Sequence, residues 1–338
     1  MAKFTIHDVA KEAKVSTATV SRVLNNPKQV RNSTKKKVEA AIERLGFYPN
    51  LTARHLRTSK SKTILAVIPE VGNAFYDSIL RGVQSRIHAI GYRTLLLTSE
   101  GIPDWEEEVC SMLEQHRVDG VVLLGAMLSQ DVAARLPKNH AIVQICDYIE
   151  DEHTFVVTFD YEDGTYRAMR YLIELGHKKI AFVNSAAERS ITPYRTNGFE
   201  RAMKEASLAI RPKLVFHAGF SFEEGVEIGK QMFQLPKEER PTAILANCDD
   251  NAFGIMKAAK EMHISIPGDV SLMGYNNIEQ AGIELIELTN YMVPTFEIGE
   301  TAADVIVACV RKEMRSKQTI AKRGKVIPRK TCSQCSAI

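Results

Sequence analysis

The chain has 338 residues, 45% of them hydrophobic and 25% charged, with a formal net charge of only +3 at pH 7. This is the composition of an ordinary soluble protein with room for a small N-terminal unit and about two further domains. No stretch reads as a membrane span, and Met1-Ala-Lys-Phe-Thr5 lacks the apolar run of a signal peptide, so the chain is expected in the cytoplasm with its six cysteines reduced.

The first predicted elements are two short helices joined by a tight turn, Thr5 to Asn25. Thr5 stands where it can cap the first helix, whose Val9, Ala10 and Ala13 form one narrow apolar face; Ser16 can cap the second. On the second helix Val20, Val23 and Leu24 face inward, while Thr17, Ala18, Ser21 and Arg22 share the opposite face. Small and hydroxylated side chains let a helix approach base edges in the DNA major groove, and an arginine reaches a guanine edge or a phosphate. A third amphipathic helix through Val38, Ile42 and Leu45 completes a small core. Residues 1–62 hold 14 Lys and Arg against four acidic residues, net +10, whereas the rest of the chain is net −7. Phosphate neutralisation requires that asymmetry of a DNA-contacting segment.

Residues 50–57 lie between Pro49 and the polar Thr58-Ser-Lys-Ser-Lys62. They are too few for a stable lone helix, so they are expected to order on binding.

The N-terminal segment resembles the headpiece of the LacI/GalR transcriptional regulators. The likeness rests on Asp8-Val9-Ala10, Val15-Ser16, Thr19-Val-Ser-Arg-Val-Leu-Asn25, Lys37-Val-Glu-Ala-Ala41 and Gly46-Phe-Tyr-Pro-Asn50, and Asn50 to Arg57 is similar to that family's hinge helix. The candidate DNA contacts are Thr5, Ser16, Thr17, Ala18, Thr19, Ser21, Arg22 and Asn25, with Asn50, Ala53 and Leu56 in the hinge. The resemblance implies that paired hinge helices of a homodimer enter the minor groove, where Leu56 wedges a base step open.

From Thr63 onward short β-rich runs alternate with helical patterns: strands at 63–68, 92–98, 120–125, 141–146, 155–159, 179–184, 243–247 and 270–274, with helices near 75–90, 104–117, 164–175 and 195–208. Strands with helical crossovers imply parallel sheets covered on both faces, with ligands at their carboxyl ends. This part resembles the type I periplasmic-binding-protein-like core of the same family, through Asn73-Ala-Phe-Tyr76, Leu172-Ile-Glu-Leu-Gly-His177, Arg195-Thr-Asn-Gly-Phe199, Asp249-Asp-Asn-Ala-Phe-Gly254 and Ile266-Pro-Gly-Asp-Val-Ser271.

The expected fold is therefore α/β: an all-α helix-turn-helix headpiece (1–48), a hinge and linker (49–62), and an effector-binding core (63–338) of two doubly wound parallel-sheet subdomains. The first takes about 63–160 plus 293–322, the second 161–292 plus 323–338. The resemblance implies effector contacts from Phe75, Tyr76, Asp160, Arg189, Arg195, Phe220, Asp249 and Asn276. Arg189 matches a second arginine of the purine-responsive branch, and Asn276 stands where the family usually has Asp, which leaves room for a ligand with a carbonyl or carboxylate. Other phrases are similar to the cytidine-responsive branch.

Cys332-Ser-Gln-Cys335 has metal-like spacing but no second Cys/His pair, so neither a metal nor a cofactor is expected. No G-x-S-x-G, Walker loop or H-E-x-x-H is present. The function expected is allosteric control of a pseudo-palindromic operator by a sugar, sugar derivative or nucleoside. The alternative is a solute-binding receptor or sugar-acting enzyme using the core alone. No leucine heptad tail follows Arg329, which argues for a dimer over a tail-built tetramer. Pro328 argues that the final strand lies at a sheet edge.

Overall fold

The computed structural model describes residues 4–25, 27–47, 60–136, 140–149, 155–185, 189–314 and 318–335. The chain forms two compact units, Met1–Lys60 and Ser61–Ile338.

In the first unit α1 (Ile6–Glu12), α2 (Thr17–Asn25) and α3 (Asn32–Leu45) enclose a core of Val9, Ala10, Ala13, Val20, Val23, Val38, Ala41 and Phe47. Local chemistry fixes each helix end. The Thr5 N–H and hydroxyl both donate to the Asp8 carboxylate, at 2.8 and 2.7 Å, and the Ser16 hydroxyl oxygen accepts from the Thr19 N–H at 3.1 Å. Gly46 closes α3 in the left-handed conformation, φ 58°. An Arg44–Glu12 ion pair of 2.6 Å ties α3 to α1.

The second unit contains two six-stranded sheets. The first has the order β11-β5-β4-β3-β1-β2, built from β1 (Thr63–Ile68), β2 (Arg93–Thr98), β3 (Gly120–Leu124), β4 (Ala141–Ile145), β5 (Phe155–Phe159) and β11 (Thr319–Lys322), all parallel. Its helices are α4 (Ala74–Ala89), α5 (Trp105–Glu114), α6 (Gln130–Arg135) and, from late in the chain, α11 (Thr295–Val310). The second sheet has the order β12-β10-β9-β8-β6-β7, from β6 (Ile180–Ser185), β7 (Val215–Ala218), β8 (Ala243–Leu245), β9 (Ser271–Asn276), β10 (Thr289–Met292) and β12 (Lys325–Ile327). It is flanked by α7 (Tyr161–Glu174), α8 (Thr192–Glu205), α9 (Phe222–Gln234) and α10 (Asp249–Glu261). Edge strand β12 runs antiparallel to β10, the one exception among the described strands to the expected parallel order. Pro328 directly follows it, where a missing N–H costs no ladder bond.

Strand residues alternate between two apolar faces, as buried parallel sheets require. On β1, Ile64, Ala66 and Ile68 pack with α4 and α11, whereas Leu65 and Val67 pack with α5. On β6, Ile180 and Phe182 meet α7 and α8, and Ala181 and Val183 meet α9 and α10. Each of the Ile, Leu, Val and Phe side chains among these, fully buried, contributes roughly 1.5–3 kcal/mol. Helices α4 and α11 cross backbone to backbone at Gly82 and Gly299, where an added Cβ would strike Phe296 and Ile79 carbonyl oxygens.

The chain passes between the lobes near residues 160, 293 and 324, and these crossings touch. Arg323 Nε donates to Asp160 Oδ2 at 3.1 Å, and the Asp160 N–H donates to the Lys322 carbonyl at 2.9 Å.

Candidate ligand cleft and DNA-reading face

In the N-terminal unit α2 leaves Ala18 and Arg22 exposed, with Thr17, Thr19 and Ser21 half-buried beside them. Thr5, Ser16 and Thr19 serve first as caps: Ser16 and Thr19 hydroxyls lie 2.9 Å apart and fix the start of α2. The side chain of Asn25, and the whole of Asn50, Ala53 and Leu56, lie outside the described residues, as does the expected hinge.

The second unit holds a cavity of about 260 Å3 where the carboxyl ends of the strands of both lobes meet. Its size is just below the roughly 300–1,000 Å3 usual for drug-sized ligands. From the first lobe come Glu70 after β1, Phe75 and Tyr76 in the first turn of α4, and Cys146 and Asp147 after β4. Asn73 caps α4 by accepting the Phe75 N–H at 3.1 Å. Tyr76 lies over Gly125, φ 65°, where an added Cβ would collide with the phenol ring. From the second lobe come Arg189, Arg195 on α8, Phe220 after β7, Asn247 and Cys248 after β8, Asp250 on α10 and Asn276 ending β9.

Arg195 has the most unusual environment. It is 2% exposed, its Nη1 donates to the Asn247 carbonyl at 3.0 Å, and its guanidinium lies 4.5 Å over the Tyr275 ring. Its Nε and Nη2, and Asn247 Oδ1, are buried without a hydrogen-bond partner. An unsatisfied buried donor costs about 1–3 kcal/mol, more if charged. Donors of this kind at a cavity wall are open to an acceptor that enters the cavity.

Arg189 takes part in a clasp between the lobes. Its Nη1 donates to Asp147 Oδ2 at 2.9 Å, Ser190 donates to Asp147 Oδ1 at 3.1 Å, and the Tyr148 and Tyr194 hydroxyls meet at 3.1 Å. The Arg189 guanidinium also lies 5.2 Å over Phe220. Burial raises the pKa of the Cys146 and Cys248 thiols, that of Cys248 to about 12, and the neutral Cys248 caps α10 by accepting from the Asn251 N–H at 3.5 Å.

Six of the eight expected effector residues, Phe75, Tyr76, Arg189, Arg195, Phe220 and Asn276, meet at this cavity. Two do not line it. Asp160 caps α7 by accepting the Asp163 N–H at 3.0 Å and pairs with Arg323 at the crossing. Asp249 is 1% exposed and accepts from the Ile278 N–H at 2.7 Å and from Asn290 Nδ2. Desolvation raises its pKa to about 7. Just before Ile278, Asn276 and Asn277 take positive φ of 101° and 61°, and Asn276 lines the cavity. The neighbouring Asp250 lines the wall instead. Sequence reasoning also passed over Glu70, Asp147 and Asn247, all just beyond strand carboxyl ends, where open α/β sheets place their ligands.

A helix-turn-helix unit followed by a two-lobed parallel-sheet unit with a polar cleft defines a DNA-binding regulator with a ligand-binding core. Residues 5–50 match the family described as bacterial regulatory proteins, lacI family, and residues 169–332 match a periplasmic binding protein-like domain. Catabolite control protein A of Priestia megaterium is 32% identical over 311 residues, 91% of this chain and 93% of that protein. The HTH-type transcriptional repressor PurR of Aliivibrio salmonicida is 31% identical over 329 residues, 97% of this chain and 98% of that one. In fold, the lac repressor dimer bound to operator and the anti-inducer ONPF is similar with a TM-score of 0.84 and 24% identity, over 98% of this chain and all of that one. The chain belongs to the lacI family of bacterial regulatory proteins, and it is a transcriptional regulator that binds DNA.

Proposed function

We propose that this chain is a repressor, active as a homodimer, whose affinity for a pseudo-palindromic operator is set by a small molecule held between the lobes of its core. One observation carries the reading: the sealed Arg195, with two donors unfilled, faces a cavity whose walls come from both lobes. A ligand accepting from Arg195 while touching Phe75 and Tyr76 favours one relative position of the lobes. It shifts the equilibrium only by its differential affinity for the two states. Either sign of control, release from DNA or recruitment to it, follows from which state the ligand prefers.

Ala18 and Arg22 with Thr17, Ser21 and Asn25 are the proposed base- and phosphate-reading group, and Asn50, Ala53 and Leu56 the proposed minor-groove contacts. Edge strand β2 supports the dimer: Leu95 and Leu96 are 41% and 39% exposed on an unpaired sheet edge, an arrangement that invites a second copy. No group of three or more His, Cys, Asp or Glu among the described residues could hold a metal ion. No helix among the described residues is long and apolar enough to cross a membrane.

Selection of operator sequences from random duplexes, followed by titration in a graded salt series, tests the DNA half of this reading. The expected product is a two-fold symmetric site, bound about a thousandfold or more over random DNA. Equal affinity for selected and random duplexes contradicts it.

A further inference from the structure

We propose, resting on the reading of the cleft as the effector site, that the effector is a polyhydroxylated ring bearing a protonated amine, the chemistry of an amino sugar. The cavity wall carries five carboxylates, Glu70, Glu100, Asp147, Asp250 and Glu224, against two arginines. Asp147 is neutralised by Arg189 at 2.9 Å. Glu224 is satisfied within the α9 cap by the Gly219 and Ser221 N–H groups, at 2.8 and 3.1 Å, and by the Ser221 hydroxyl at 2.7 Å. Glu70, Glu100 and Asp250 are paired with no Lys or Arg among the described residues.

Glu70 follows β1 in one lobe and Asp250 opens α10 in the other, so the cleft sets like charges against each other across its opening. Asp250 is held toward its protonated form by burial and by the Glu70 charge. A ligand hydroxyl can donate to such a carboxylate but leaves the repulsion in place; an ammonium removes it. Arg195 makes the opposite demand. Its open Nε and Nη2 require an acceptor, such as a ring oxygen or hydroxyl, at the other end of the ligand. Phe75 and Phe220 on the same wall supply apolar surface, and a cavity of about 260 Å3 suits a single ring.

The test is calorimetry on the full-length chain with matched pairs: D-glucosamine against D-glucose, D-galactosamine against D-galactose and D-mannosamine against D-mannose, with the N-acetylated forms alongside. At least one amine is expected to bind about tenfold or more tighter than both its hydroxyl and its N-acetyl counterparts. Glu70→Gln, at an exposed position that leaves the buried shell intact, reduces that preference severalfold, and Glu70→Gln with Asp250→Asn abolishes it. Three results each overturn the proposal: hydroxyl or N-acetyl partners binding as tightly as the amines, no amine binding at millimolar concentration, or a preference unchanged in Glu70→Gln. A neutral sugar that binds and shifts operator affinity defeats this proposal and leaves the effector-site reading intact. An amine bound with the expected preference, but without effect on operator affinity, defeats that reading instead.

Discussion

A guanidinium sealed from water with two nitrogens unpartnered is costly to keep, which makes Arg195 the residue most sensitive to what fills the cleft. Lysine retains the charge but not the planar fork. Arg195→Lys is therefore expected to weaken effector binding roughly 10- to 100-fold, the value of one hydrogen bond to a charged group, as read by calorimetry. Undiminished affinity contradicts the role given to Arg195. Asp249 makes a different prediction. Its folded-state value of about 7 lies above the ordinary 3.8, so between about pH 4 and pH 7 the folded chain binds a proton that the unfolded chain does not. Stability on this account falls as pH rises through that window, and the penalty is complete above the folded value. Melting temperatures between pH 5 and pH 8 should fall less in Asp249→Asn than in the native chain. Asp250, raised in the same direction by burial, contributes a fall that this variant keeps. Identical pH profiles contradict the assignment. The pair also shows where sequence reasoning loses resolution. That carboxylates follow β8 was legible, but which of two consecutive ones faces the cavity depends on the roughly 100° turn between residues at a helix start. Arg195 and Phe75 were legible because their motifs tie them to fixed places in the family fold.

At the scale of elements, strands rich in Val, Ile, Leu and Phe such as β1, β3 and β5 were visible because burial on both faces gives nearly continuous apolar runs. Strand β10, Thr289–Met292, is short and half polar, and Asn290 in it is buried because it serves Asp249 rather than the hydrophobic core. The Ser221–Glu224 capping box at α9 was a usable signal that went unread. Strand β11 depends on its distant partner β5, a pairing that no local pattern announces. Helix α2 offers the cleanest test at this scale. Removing its cap with Ser16→Ala should cost about 1 kcal/mol of local stability. Faster amide exchange in α2 and weaker operator binding are expected, and Ser16→Asn should restore both. Unchanged exchange protection would show that Ser16 does not start the helix.

At the scale of the molecule, charge is divided unevenly: net +10 on residues 1–62 and net −7 on the rest, the asymmetry that phosphate neutralisation by the N-terminal segment requires. The clasp of Asp147, Arg189 and Ser190 at the cavity wall, together with the Asp160–Arg323 pair at the crossing, gives the two lobes defined contacts. Dimerisation is required for one helix pair per half-site. Leu96→Asp on the exposed edge of β2 is expected to shift sedimentation from dimer to monomer and to lower operator affinity by about tenfold or more, since a single half-site remains. A variant that stays dimeric places the interface elsewhere.

Control of DNA binding by a ligand requires coupling between the cleft and the DNA-reading face, and coupling is reciprocal. The decisive measurement is the affinity of the full-length chain for a cleft ligand, with and without saturating operator duplex, alongside the operator affinity with and without that ligand. The account predicts the same factor in both directions, about 5- to 150-fold, collapsing toward unity in Arg195→Lys. A ligand that occupies the cleft while leaving operator affinity unchanged would contradict it.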